Sequence, residues 1–342
     1  MKIYFVTNCC GGLPQRLHET ESLDVAAISA HLSRHGHLTE VIDHADLIRL
    51  DPSIIRGSVI IYASSQYPEL YQYIEHCLLY AEACGGHLLP NYHCFRAHEN
   101  KFVQELLKKK LGLASPRSRL YGTIEEISED LATIEFPVVL KYPHGFASVG
   151  VSKVDSAAQL MTVLRESMVD TIPRPSGLIH RIIERRQYNR RVAAYANRYP
   201  LQSRRIILQE FIEGLGFDWK VLVFGNRFFC LKRYVRAGDF RASGSGNFEF
   251  SAVPPDGLLE FARDTLRAID SPWASLDIAE KDGRFYLIEF QCVHFGPVTL
   301  MRNTCYYSSE GGSWARHAMV TAEPEPYFGD AAVEYLAEKF PS

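Results

Sequence analysis

Asp277 and Glu289 are the residues of this chain whose type and spacing point most directly to chemistry. They lie in SLDIAEKDGRFYLIEFQ, residues 275–291, where apolar residues alternate in SLDIAE and again in FYLIEF. Period-2 alternation reads as two β-strands, and Lys281-Asp282-Gly283-Arg284 supplies a turn between them. The hairpin brings Asp277 and Glu289 close together. Strand alternation predicts that Phe285, Leu287 and Glu289 share one face, with Gln291 two residues further along it. A carboxylate on an otherwise apolar line is costly unless a cation pairs with it. Asp, Glu and an amide offer hard oxygen ligands, which suit Mg²⁺ bound together with the phosphates of a nucleotide. The competing reading is two ordinary strand acids bonded to Arg or Lys.

Further upstream, FPVVLKYPHGFASVGVSKV reads as strands from Val138 to Lys141 and Val149 to Val154. The loop between them carries Gly145, Ala147, Ser148 and Gly150. Small residues let a backbone approach a ligand, and its N–H groups can cradle phosphate oxygens. Lys141 would bring an ammonium to the same phosphates. Lys101 opens a helix that runs to about Lys110, forty residues before Lys141.

In LQEFIEGLGFDWKVLVFG, Leu208 to Ile212 reads as a strand ending in Glu213-Gly214. A strand end can hydrogen-bond an adenine edge, while Glu213 or Asp218 can accept from ribose hydroxyls. An edge strand with solvated acids is the plainer alternative. Beyond it, Arg233 falls on a strand, and Arg241 falls in a loop followed by a Ser/Gly stretch from Ser243 to Gly246. Beside a phosphate site, an arginine on such a loop can serve as a transition-state cation.

Taken in order, these segments resemble the ATP-grasp superfamily, and most closely its branch of glutathione synthetase and the ribosomal-protein glutamate ligases. The matching pieces run from Glu99 to Gly296: Lys101 before LGLASP, PVVLKYPHGFASVGV, QEFIEG with Asp218, KRYVRAGDFR, and the hairpin. The resemblance implies an α/β (α+β) protein with an ATP-grasp fold behind an N-terminal wound parallel-sheet domain. It puts Lys101 and Lys141 on ATP phosphates and Ser148 and Gly150 in the loop covering them. Gln209, Glu210, Phe211 and Ile212 match the strand that meets adenine, with Glu213 or Asp218 on the ribose. Arg233 and Arg241 fall where cations face the phosphoryl group and the substrate carboxylate. Asp277, Glu289 and Gln291 match the ligands of Mg²⁺, or of Mn²⁺ in its place. Gln291 stands where the family usually has Asn, Lys220 where relatives often have Arg, and Tyr142 separates Lys141 from Pro143.

The elements positioning these residues suggest three units: 1–98, an alternating strand–helix domain; 99–205, a lid; and 206–342, which carries the metal hairpin. In the first, IYFVT, HLTEVID, SVIIYAS and HLLP read as strands, with helices from Ser22 to His35 and Tyr67 to Ala83. That alternation implies a parallel sheet. The loop from Asn8 to Pro14 reads as a plain turn or, at the ligand-binding end of such a sheet, as a substrate contact, and Cys9-Cys10 reads as a buried pair closing the first strand rather than a redox-active one.

With 342 residues, 46% of them hydrophobic, and a net charge of −3, the chain is ordinary in composition. The charge argues against a general nucleic-acid binder. There is no membrane-spanning run, and the apolar start is too short for a signal peptide. Eight cysteines without a CxxC pair suggest a reduced cytoplasmic location.

Arg181, Arg185, Arg186, Arg190 and Arg191 crowd the stretch from Ile172 to Ile206. In a helix they would stack like charges, which a bound anion or acidic neighbours would relieve. A mouth for an anionic substrate is one reading and a solvated segment the other. The whole suggests an ATP-dependent carboxylate–amine ligase acting on small-molecule or peptide substrates. A carboxylate–thiol ligase, a kinase or an inactive nucleotide-binding module are the alternatives, and the sequence leaves a homodimer open.

Overall fold

A computed structural model describes residues 1–15, 22–144, 150–170 and 202–341. Ser148 and the arginine-rich residues 181–191 lie outside them. The described chain forms two compact units, Met1–Ser115 with Gly214–Ser342, and Pro116–Glu213.

In the larger unit, strands Lys2–Thr7, Leu38–Asp43, Val59–Tyr62 and His87–Leu89 form the expected parallel sheet. Helices Val25–Arg34 and Pro68–Ala83 belong to its crossovers. Asp24 caps the first helix by accepting from Ala27 N–H, and the second begins at Pro68, where a missing N–H costs nothing. Cys9 and Cys10 are exposed in the turn after the first strand, contrary to the buried pair expected there. Asn8 accepts from the N–H groups of Cys10 and Gly12, so the turn forms by local side-chain bonding and turns both thiols outward.

The second sheet of this unit contains strands Phe217–Phe224, Arg227–Tyr234, Trp273–Lys281 and Arg284–Gln291. One face buries Trp219, Val221, Leu276, Ile278, Leu287 and Phe290. Against it lies helix Leu258–Ile269, whose Leu258, Leu259, Ala262, Leu266 and Ile269 make a stripe at helical spacing. The other face contributes Leu222, Phe224, Phe229 and Trp273 to a core shared with Ile3, Phe5 and Phe328. The same face carries Asp218, Lys220, Arg233 and Asp277 towards its other end.

The hairpin turn is tight because Asp282 and Gly283 both adopt positive φ, +52° and +72°, between the paired Lys281 and Arg284. Its two strands do not keep strict alternation. Ile278 pairs with Leu287 and Asp277 with Glu289, so Ile288 has no partner and forms a β-bulge. Leu287 therefore faces the apolar core with Ile278, whereas Glu289 turns to the face of Asp277. The expectation that Glu289 shares a face with Leu287 is corrected by this single inserted residue.

The smaller unit has an antiparallel sheet in the order Ser118–Tyr121, Ile206–Glu210, Val138–Lys141, Val151–Val154. Leu140, Val154, Leu160, Leu164, Ile206 and Leu208 form its core. This division differs from the three-way one read from the sequence in two elements. Strand Ile206–Glu210 is hydrogen-bonded between its neighbours in the smaller unit, and it ends at Glu210, before Phe211 and Ile212. Helix Lys101–Leu111 packs on strand Arg284–Gln291 of the larger unit.

Candidate functional site

In the larger unit Asp277 and Glu289 pair directly across adjacent strands. Lys220 lies opposite Asp277 on the other side, and its Nζ is 3.4 Å from Asp277 Oδ1. Arg233 grips Asp218 with two 2.7 Å bonds, from Nε to Oδ1 and from Nη2 to Oδ2. Its Nη2 also lies 2.8 Å from Asp277 Oδ2. The sequence cannot show that one arginine serves two acids, because the pairing needs three strands in register.

Charge is balanced tightly here. Burial pushes the Asp218 carboxyl up to about 6, against the pull of Arg233. Burial also opposes ionisation of Asp277, but Arg233 and Lys220 outweigh it and hold that carboxyl below its ordinary value. The two acids raise Arg233 further, despite its burial. Asp277 is thus bonded to Arg and Lys, as the plainer reading expected, and is the strand partner of Glu289.

Glu289 Oε1 accepts from Gln291 Nε2 at 2.8 Å, and Gln291 Oε1 lies 3.1 Å from His98 Nδ1. His98 is buried and stacks edge-on against His294, with ring centroids 4.4 Å apart. Among the described residues no cluster of three or more His, Cys, Asp or Glu could hold a metal by itself. Two carboxylates are hard donors of the kind a divalent cation takes together with phosphate oxygens and water, and Gln291 would join them by exchanging the ends of its amide, whose Oε1 faces His98.

Lys101 is the first residue of helix Lys101–Leu111, capped by Asn100. Two other residues of this helix matter and were not singled out from the sequence: Gln104 accepts from Phe290 N–H, and Lys108 donates to the carbonyls of Leu287 and Ile288. A buried face bearing Gln, Glu and Lys looks like a solvated one in sequence, so no signal marked them.

Arg241 lies on the segment linking strands Arg227–Tyr234 and Phe248–Phe250. Its Nε is 2.9 Å from Asp239 Oδ1 and its Nη2 is 2.9 Å from Asp239 Oδ2. Asp239 also accepts from the N–H groups of Phe240 and Arg241, and these bonds to Arg241 pull its carboxyl down to about 2.

In the smaller unit Lys141 ends its strand, is 7% exposed, and places Nζ 2.6 Å from Gln209 Oε1. Gln209 in turn donates to Ser118 Oγ at 3.1 Å. Gly150 has φ +74° and accepts from Tyr142 N–H, a conformation that favours glycine. Glu210 is exposed and pairs with Arg117, Phe211 lies 4.9 Å from Lys153 Nζ, and Glu213 is exposed at the end of the unit. The smaller unit therefore brings together Lys141 and Gln209, and the larger one Asp218, Arg233, Asp277, Glu289 and Gln291.

These elements define an ATP-grasp fold, as the sequence pattern suggested. The structure of D-cycloserine synthetase DcsG matches with a TM-score of 0.55 at 14% identity, over 98% of this chain and 100% of that one. The D-alanine–D-alanine ligase of Bacillus anthracis complexed with ATP gives 0.52 at 13% identity, over 99% and 98%. The ADP complex of purK, an N5-carboxyaminoimidazole ribonucleotide synthetase, gives 0.52 at 14% identity, over 89% and 73%. No protein-family model matches the chain, and neither does any curated protein. No helix among the described residues is long and apolar enough to cross a membrane.

Proposed function

We propose that this protein is an ATP-dependent carboxylate–amine ligase that works through an acyl phosphate. The observation that carries the reading is the opposed pair Asp277 and Glu289, on the sheet face that also bears Arg233 and Lys220. Two of the fold relatives are described with ATP or ADP bound, which supports ATP as the nucleotide.

In this reading Asp277 and Glu289, with the amide of Gln291, hold Mg²⁺ or Mn²⁺. The ion neutralises charge on the nucleotide phosphates when bound. Lys101, Lys141 and the backbone at Ser148 and Gly150 take phosphate oxygens. Gln209, Glu210, Phe211 and Ile212 meet the adenine. Exposed Glu213 is the better ribose acceptor, since both oxygens of Asp218 are held by Arg233. Arg233 and Arg241 stabilise charge on the transferred phosphoryl group and the substrate carboxylate. A carboxylate oxygen bonds to the γ-phosphorus, the bond to the bridging oxygen breaks, and ADP leaves with its electron pair. An amine nitrogen then bonds to the acyl carbon, phosphate leaves, and the nitrogen loses a proton to give the amide.

A second reading, a nucleotide-binding module without turnover, is favoured by the engagement of Asp277 with both Arg233 and Lys220. A thermal-shift screen of amino acids, sugar acids and small peptides with a nonhydrolysable ATP analogue would find substrates. Turnover with an ¹⁸O-labelled carboxylate should then release ADP and labelled phosphate. ADP without free phosphate would indicate a kinase, and no ADP with any pair would leave the binding module.

A further inference from the structure

We infer that Gln104 and Lys108 are positioning residues that fix the carboxylate of Glu289 by gripping the backbone on both sides of it. The inference rests on the ligase reading only for the ion that Glu289 would hold.

The two peptide groups flanking the Glu289 Cα are those of Ile288 C=O and Phe290 N–H. Lys108 Nζ donates to the first at 3.0 Å, and Gln104 Oε1 accepts from the second at 3.1 Å. Gln104 and Lys108 are one turn apart on helix Lys101–Leu111 and so share a face. Each is 1% exposed. Each is also anchored at its far end: Gln104 Nε2 donates to Ala97 O at 3.0 Å, and Lys108 pairs with Glu105 Oε1 at 2.6 Å. The grip is thus made by side chains with little freedom of their own.

The bulge explains why an ammonium is needed. In a regular strand successive carbonyls point to opposite edges. At Ile288 the bulge turns two successive carbonyls to one side, and Lys108 Nζ meets both, at 3.3 Å for Leu287 and 3.0 Å for Ile288. Leu287 N–H is taken by Ala114 O at 2.8 Å, which pins the same outer edge just before the bulge. Covering a strand edge does not require this, since a buried ion pair can often be replaced by apolar residues without loss of stability. What an apolar replacement would not supply is two donor bonds to adjacent carbonyls. Those bonds hold the bulge, and the bulge turns Glu289 towards Asp277. Strand Arg284–Gln291 is an edge strand of the sheet, so among the described residues no neighbouring strand performs this task.

The test compares wild-type protein with Gln104→Leu and with the double variant Lys108→Met, Glu105→Leu, in which the buried acid is not left without its lysine. Calorimetry would measure a nonhydrolysable ATP analogue with and without Mg²⁺, alongside the melting temperature and the amide hydrogen exchange of Phe290. The expected result is unchanged Mg²⁺-free affinity, a gain from Mg²⁺ reduced about 10- to 100-fold, and faster exchange at Phe290 in Gln104→Leu. Lys108→Arg should recover part of the gain. A full Mg²⁺ gain in the folded variants, or equal losses with and without Mg²⁺, would overturn the inference. If the double variant does not fold, Gln104→Leu alone decides by the same two readouts. If wild-type protein shows no Mg²⁺ gain, the ligase reading fails, and Phe290 exchange still decides whether the grip fixes the strand.

Discussion

Asp277 shares the guanidinium of Arg233 with Asp218, at 2.8 Å and 2.7 Å. One permanent cation therefore holds a buried carboxylate and a partly buried one in place, the second being half of the Asp277–Glu289 pair. Arg233→Met should cost about 3–5 kcal/mol, the usual loss when one partner of a buried ion pair is removed. The loss should depend on pH. Burial holds the Asp218 carboxyl up, at about 6, above the ordinary carboxylate value of about 3.9, so its ionisation opposes folding as pH rises through that window. Without Arg233 the Asp218 carboxyl should rise further and that of Asp277 should rise from its depressed value. Urea denaturation should show the variant weaker at pH 8 than at pH 5 relative to wild type, and equal losses would contradict the shared-cation account.

Lys141 is buried at the end of its strand with Nζ on Gln209 Oε1. If it serves phosphates, Lys141→Ala should weaken ATP binding by about 1.5–3 kcal/mol, the range for a hydrogen bond to a charged group. Adenosine binding should change much less. Calorimetry on both ligands distinguishes this role from a structural one, which would weaken both equally.

Arg241 is held by Asp239 along two parallel bonds. In Arg241→Ala, the Asp239 carboxyl should move from about 2 towards about 3.9, readable by carboxyl NMR. Since its folded value is depressed, Asp239 supports the loop above about pH 4 and loses that support as pH falls towards 2. The same variant should lower the ligation rate far more than ATP affinity, because an arginine acting mainly in the transition state affects turnover and not ground-state binding. Loss of ATP binding with normal residual turnover would reverse that assignment.

The hairpin was legible because its turn and its alternation are local signals. Lys101 at a helix start, Lys141 at a strand end and the parallel sheet of the first ninety residues were legible for the same reason. The face of Glu289 was not. Phe285, Leu287 and Glu289 alternate in sequence as a regular strand would, and the bulge at Ile288 depends on carbonyls met by Lys108, 180 residues away in the chain. Strand Ile206–Glu210 was assigned to the last unit because sequence order says nothing about which strands pair with it. An Asp on a strand carries no sign of the arginine opposite it, so the sequence leaves Asp218 and Glu213 as equal candidates for the ribose.

The central claim is that Asp277 and Glu289 jointly hold a divalent ion beside the nucleotide. Titrating Mn²⁺ against the protein with a nonhydrolysable ATP analogue, and following water-proton relaxation, tests it most directly. Wild-type protein should give a strong enhancement that Glu289→Ala loses while keeping its fold by circular dichroism. An equal enhancement in the two proteins, or none in wild type, would contradict the account.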